Sequence, residues 1–239
     1  MSDTNRPPIA EPEHFVFDEI SREQIEIILR RYPPERKASA VISVMYTAQA
    51  QMGRLTGSAW VPRVAMDEVA RQVDLAPIRV YEIATFYSMF NLKPVGRYHL
   101  QICTTTPCWL RGSDDVVSAC MRATGTDHWG ETSSDGLFTI DEVECLGACA
   151  NAPMMQVNDE YYEDLNGPRT EELIANLRKG QLPTPGPTNG RQGSMPEGGP
   201  TTLTDEAALW SPQRYAAERE ARAEAAADSL TAKPEGSSS

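Results

Sequence analysis

RYHLQICTTTPCWLRG, residues 97–112, decides how the rest of the chain is read. Tyr98, Leu100 and Ile102 alternate with His99, Gln101 and Cys103, the period of two that marks a strand, so the first cysteine falls at a strand end. The TTTPCWLRG segment then reads as a loop, which puts Cys108 in irregular backbone. The stretch ECLGACANAPMMQVND, 144–159, repeats the arrangement. A strand near Leu137 to Val143 leads into Cys145 and Cys149, and Met154 to Val157 resumes a strand. Two cysteine pairs, C-x4-C and C-x3-C, are thus delivered from two loops that follow strands.

Thiolates delivered this way build a four-sulfur cage for a soft metal or an iron-sulfur cluster. Three other readings compete. Structural disulfides need an oxidising compartment, and Met1 to His14 carries no apolar run behind a basic start that would export the chain. Zinc sites also use four thiolates, but their knuckles are usually C-x2-C, and neither pair has that spacing. A dithiol redox enzyme needs the same two-residue spacer, which occurs nowhere. Loop backbone suits a cluster because free N–H groups must point at sulfur, and ladders have already used theirs. Thr104, Thr105 and Thr106 offer hydroxyl donors beside Cys103, Gly147 and Ala148 keep the second turn small, and Trp109 and Leu110 are placed to shield Cys108 from water. Cys120 lies three and four residues from Val117 and Val116, on an apolar helix face, and reads as core. His14, His99 and His128 are scattered outside both loops, against a Rieske centre.

Upstream, residues 1–14 are Pro-rich and polar and read as a flexible arm. Ser21 with Gln24 forms a capping box for a helix carrying Ile25, Ile27, Ile28 and Leu29, stopped at Pro33-Pro34. Helices are expected over Lys37 to Met52, near Met66 to Val73, and from Pro77 through Phe90. The last, with YEIATFYSMF, is apolar on most of its circumference and reads either as core or as covered by another subunit. Residues 15–93 therefore make a small helical domain. Over 94–180 the order is strand, helix (capped by Ser113), strand, strand, strand and helix (Thr170 to Arg178), an α/β unit with helices on a small mixed sheet. Ala152-Pro153 precedes a strand, a place where a cis proline can stand, and its isomer is left open because most X-Pro bonds are trans. Residues 181–239 form an extended tail: Pro183 to Pro200 reads as an unpacked linker, and Ser211 to Ala227 as a helix that is either a solvated appendage or, with Leu209, Trp210 and Tyr215 as anchors, docked along another subunit.

Composition narrows the partners. A net charge of −12 disfavours nucleic acid and anionic membrane surfaces, which reward clustered Lys and Arg. No apolar run approaches the roughly 20 residues that cross a bilayer. Neither G-x-G-x-x-G nor G-x-x-x-x-G-K-S/T occurs, so nucleotide chemistry is expected on a partner.

YEIATFYSMF at 81–90, PVGRYHLQICTTTPCWLRG at 94–112, ECLGACANAPMMQVND at 144–159 and YYEDL at 161–165 together resemble the 24 kDa-type, or NuoE, subunit family of NADH:quinone oxidoreductase, respiratory complex I. The resemblance runs from about Phe15 to Leu177. It implies a thioredoxin-like 2Fe-2S ferredoxin domain in which Cys103, Cys108, Cys145 and Cys149 ligate one cluster. It also implies a partner subunit that binds NADH and FMN and exchanges single electrons with that cluster. Other peripheral-arm subunits would surround the pair, on the cytoplasmic side of a bacterial inner membrane. Small diaphorase subunits of NAD-linked hydrogenases and formate dehydrogenases are similar, and a zinc-stapled module without redox function is the remaining alternative. Formal charges give such a cluster about −2 oxidised and about −3 reduced, so an acidic chain predicts a low potential, near the roughly −400 mV of plant-type ferredoxins. Hydrogen bonds from the threonine loop would raise it, and a low potential beside a flavin suits transient storage of electrons better than forward relay.

Overall fold

Helix α1 (Glu19–Leu29) begins at Asp18, whose carboxylate accepts the Ser21 N–H at 2.8 Å. Asp18, rather than the expected Ser21 and Gln24 pair, caps this helix because Arg54 of the next helix reaches the same carboxylate at 3.0 Å. The buried Gln51 fixes the approach, accepting the Asp18 N–H at 2.9 Å and donating to the Val16 carbonyl at 2.8 Å. The structure, a computed structural model, describes residues 10–196, 198–199 and 201–202. Most of the expected arm and the readings for 211–227 lie outside them. Within the arm, Glu11 accepts the Arg63 N–H at 2.7 Å.

A 3₁₀ segment (Pro34–Ala40) leads into α2 (Val41–Thr56), followed by α3 (Arg63–Val73) and α4 (Pro77–Phe86). Phe17, Ile25, Val44, Met45, Val69, Val73 and Val80 close one core among these helices. Each such burial is worth about 1.5–3 kcal/mol, more than helices of this length supply from propensity. Helix α4 stops at Phe86, four residues short of the expected end. Gln49 of α2 takes over the backbone there, donating to the Met89 carbonyl and accepting the Asn91 N–H at 2.8 Å, while the Asn91 carbonyl accepts the Val61 N–H. These tertiary bonds outcompete another helical turn, and they bury Phe90 while leaving Phe86 79% exposed.

The chain then enters a six-stranded sheet of order β2-β3-β1-β4-β5-β6, built from β1 (Tyr98–Cys103), β2 (Glu131–Thr132), β3 (Phe138–Val143), β4 (Met155–Val157), β5 (Glu160–Glu163) and β6 (Gly186–Pro187). β1 is parallel to β3, with Cys103 opposite Val143, and antiparallel to β4, with Ile102 opposite Met155. Between β1 and β2 lie the short α5 (Thr106–Leu110) and α6 (Ser113–Thr124), and α7 (Gly167–Arg178) follows β5. Leu100, Ile102, Val116, Cys120, Ile140, Met155, Ile174 and Leu177 form the core that unites sheet and helices. Gly96 leads into β1 against the β3 backbone, where a Cβ would lie 2.7 Å from the Phe138 carbonyl carbon.

Three further expectations are corrected. Cys108 lies inside α5 rather than in a loop, because Thr105 at the N-cap and Pro107 in the first turn start a helix there. Ser113 is the first residue of α6, whose N-cap is Gly112 at φ 94°. The segment 183–195 is packed: β6 pairs in parallel with β5, and Thr188 donates to the Glu163 carbonyl through both N–H and hydroxyl. The Ala152-Pro153 bond is cis.

Candidate metal centre

Cys103 and Cys108 are buried, Cys145 and Cys149 exposed, and all four are free thiols. β1 ends at Cys103, and α5 carries Cys108 back beneath it, so both join Ala152 and Met154 in a small core closed by Leu146, Ala148 and Tyr161. The opposing turn starts where β3 releases the chain after Val143. Gly147 holds φ 86°, a left-handed conformation that an L side chain would strain, and the turn brings the Cys145 and Cys149 sulfurs to 3.4 Å. Tyr161 braces it, donating its hydroxyl to the Leu146 carbonyl at 2.9 Å.

The two pairs reach across to each other. The backbone N–H of Leu146 points at the Cys103 sulfur, that of Met154 at Cys108, and the Thr105 hydroxyl serves Cys145 as well as Cys103. Burial pushes the Cys103 thiol up, but the Thr105 hydroxyl and N–H, the Leu146 N–H and the Cys108 thiol outweigh it, so its pKa falls below the ordinary thiol value. Cys108 shows the opposite balance: burial first, then the hydrogen bond and charge of Cys103, push it up to about 12. The Gly147 N–H, then the Cys149 thiol, hold Cys145 low, and the hydrogen bond to Cys145 is the chief cause that raises Cys149. Within each pair the two thiols are thus pushed in opposite directions, one down and one up.

The four sequence-predicted residues converge on one site. Among the described residues, no three Cys, His, Asp or Glu side chains gather about a point that a single ion would fill. The donor set of the two pairs is all thiol, which suits a soft metal or an iron-sulfur cluster. Thr105 supplies the hydroxyl beside Cys103, at 3.3 Å, whereas Thr104 turns away to Glu142. Trp109 and Leu110 are 58% and 70% exposed, so they do not shield Cys108; Met154 and Ala152 do. Cys120 is fully buried in the sheet core, 3.9 Å from the Met155 sulfur, and burial alone pushes its pKa up to about 12. His99 bonds Asp141 within the sheet, away from both cysteine pairs.

Sequence reasoning missed the backbone donors of Leu146 and Met154, which only tertiary pairing reveals. It also missed Arg191, whose guanidinium donates to the Ala150 carbonyl next to Cys149 at 2.7 Å. A signal was present: Arg191 is the sole charged residue between Gly180 and Glu197.

A family described as thioredoxin-like 2Fe-2S ferredoxin matches residues 25–178. The chain is 49% identical over 160 residues to the E subunit of NADH-quinone oxidoreductase from Rickettsia typhi, covering 67% of this chain and 91% of the relative. It is 48% identical over 160 residues to the protein of the same name from Rickettsia prowazekii, covering 67% and 87%. Among solved structures, an NAD+-reducing NiFe hydrogenase in its H2-reduced state is similar in fold, with a TM-score of 0.52 and 20% identity, over 62% of this chain and 23% of that one.

Proposed function

The chain belongs to the thioredoxin-like 2Fe-2S ferredoxin family, and from that premise we propose that Cys103, Cys108, Cys145 and Cys149 hold one 2Fe-2S cluster in an electron-transfer subunit of an NADH-oxidising assembly of the NADH:quinone oxidoreductase type. The observation that carries this reading is the meeting of two thiol pairs at one small core, with the Cys145 and Cys149 sulfurs 3.4 Å apart and the Thr105 hydroxyl 3.3 Å from the Cys103 sulfur. The two rickettsial relatives, both named as the E subunit of NADH-quinone oxidoreductase, support the choice of assembly.

When bound, such a cluster takes up and gives back one electron at a time. The chain's own part is to hold and tune it. Cys103 and Cys108 form the buried wall, which keeps water from one side, and the exposed Cys145 and Cys149 leave the other side facing outward. That open edge is where a bound cluster would exchange electrons with FMN on a partner subunit that also binds NADH. Residues 94–180 form the cluster domain and 15–93 the helical domain, whose exposed Ile78, Phe86 and Tyr87 face the partner. Among the described residues no helix is long and apolar enough to cross a membrane. Attachment to the cytoplasmic face of the inner membrane comes from other subunits.

Anaerobic purification tests the reading. The expected chain is reddish-brown, carries about two irons and about two acid-labile sulfides, shows an EPR signal on reduction, and co-purifies with a flavin-containing subunit. Cys→Ala at 103, 108, 145 or 149 removes the cluster, whereas Cys120→Ala keeps it. A colourless chain with a single zinc and no sulfide would overturn the cluster, and co-purification with a hydrogenase or formate dehydrogenase would overturn the choice of assembly.

A further inference from the structure

The segment after α7 crosses back over the cysteine turn, beyond the residues that the family match covers. β6 fixes its first part against β5, and Thr188 anchors it to the carbonyls of Glu163 and Asp164. Its centre is Arg191, with its side chain 12% exposed. The guanidinium holds the Asp164 carboxylate by a fork, Nε to Oδ2 at 2.7 Å and Nη2 to Oδ1 at 2.5 Å, and also donates to the carbonyls of Ala150 and Met195. Asn151 completes the closure, donating to the Gly193 carbonyl at 2.8 Å. Asp164 is itself tied to the turn, because its N–H donates to the Asn151 carbonyl while its backbone holds the left-handed φ of 53°.

We propose that residues 186–195 are a clasp for the Cys149 turn and that Arg191 is its positioning residue, holding the Ala150 peptide so that the Cys149 thiol stays turned toward Cys145. Three features carry this. The contact is one residue from Cys149, in a 3₁₀ turn of three residues that has little internal bonding of its own. Both exposed cysteines sit on this side of the site, with their own side chains outside the small core that Leu146 and Ala148 help to close. Arg191 is also a fork that lysine cannot copy: it serves Asp164, Ala150 and Met195 at once, which takes a planar group with several fixed donors.

The clasp's role toward the cluster rests on the function proposed above; its role toward the turn does not. The test therefore uses the full chain in two states. In the cluster-free chain, amide exchange across 148–152 is compared for wild type, Arg191→Met, Arg191→Lys and Thr188→Val, the last loosening the clasp without leaving a buried lone charge. Loss of charge-assisted bonds predicts exchange faster by about tenfold or more in Arg191→Met, with little recovery in Arg191→Lys and a smaller rise in Thr188→Val. In the loaded chain, Arg191→Met releases iron to a chelator about tenfold faster and shifts the g values of the reduced state. Unchanged exchange in Arg191→Lys and Thr188→Val overturns the clasp. Faster exchange with unaltered chelation and g values overturns its link to the cluster. A wild-type chain that holds no iron-sulfur cluster overturns the proposed function, and the exchange measurement still decides the clasp.

Discussion

The hydroxyl of Thr105 lies 3.3 Å from the sulfur of Cys103, and the N–H of the same residue also points at that sulfur. A donor aimed at a cluster sulfur stabilises the more negative, reduced state, which raises the potential. Thr105→Val removes the hydroxyl but keeps the shape and the N–H. We expect its midpoint to fall by on the order of 50 mV, roughly one factor of ten in a one-electron equilibrium, with Thr105→Ser close to wild type. A redox titration followed by EPR measures this, and an unmoved midpoint in Thr105→Val would remove Thr105 from the tuning of the site.

Asp135 predicts a pH dependence of stability. Burial alone would raise its pKa, but the Ser133 hydroxyl, the Leu137 N–H and the Arg178 guanidinium outweigh it and hold the carboxyl below its ordinary 3.8. A folded-state value below the unfolded one contributes stability that is fully present above the ordinary value and lost as pH falls through the folded value. Asp135→Asn therefore lowers the urea midpoint at about pH 6 and approaches wild type by about pH 2. A gap that stays constant with pH would exclude this carboxylate as its source.

The strands were legible because Tyr98, Leu100 and Ile102 alternate with more polar neighbours, and Cys120 was legible as core from its spacing to Val116 and Val117. The cysteine set was visible as pairs, and its convergence followed from strand ends that the structure places side by side. What stayed hidden depends on contacts distant in sequence. The end of α4 is set by Gln49, 40 residues before the Met89 carbonyl it bonds. Residues 183–195 carry linker composition, yet their order comes from Arg191 meeting an aspartate 27 residues earlier. Local periodicity holds no trace of either pairing, because each is one polar side chain meeting one distant group.

Phe86 is 79% exposed, with its ring 5.0 Å from that of Tyr87, and Ile78 on the same helix is 62% exposed. If this apolar group meets the flavin-binding partner, Phe86→Ser leaves the free chain's stability within about 0.5 kcal/mol while weakening association about tenfold or more. Thermal unfolding and co-purification read the two effects separately. Loss of stability with intact association would make Phe86 an ordinary structural residue.

Two glycines are required for different reasons, and alanine at each separates fold from site. At Gly96 an added Cβ would lie 2.7–2.9 Å from backbone atoms of Leu137 and Phe138, which cannot yield without parting β3 from the segment leading into β1. The Gly96 N–H also donates to the Thr139 hydroxyl at 2.7 Å, so moving the chain breaks a buried bond as well. Gly96→Ala is expected to cost about 3 kcal/mol in global stability. At Gly147 nothing lies within 4 Å of the added Cβ, and the cost comes from φ 86° alone, about 1–2 kcal/mol. The turn is exposed, so that strain is relieved locally, by rotating the Gly147 peptide whose N–H points at the Cys145 sulfur. Gly147→Ala should therefore unfold almost as wild type does while releasing iron faster to a chelator. The reverse order of the two variants in either assay would show that the turn's geometry does not govern how the cluster is held.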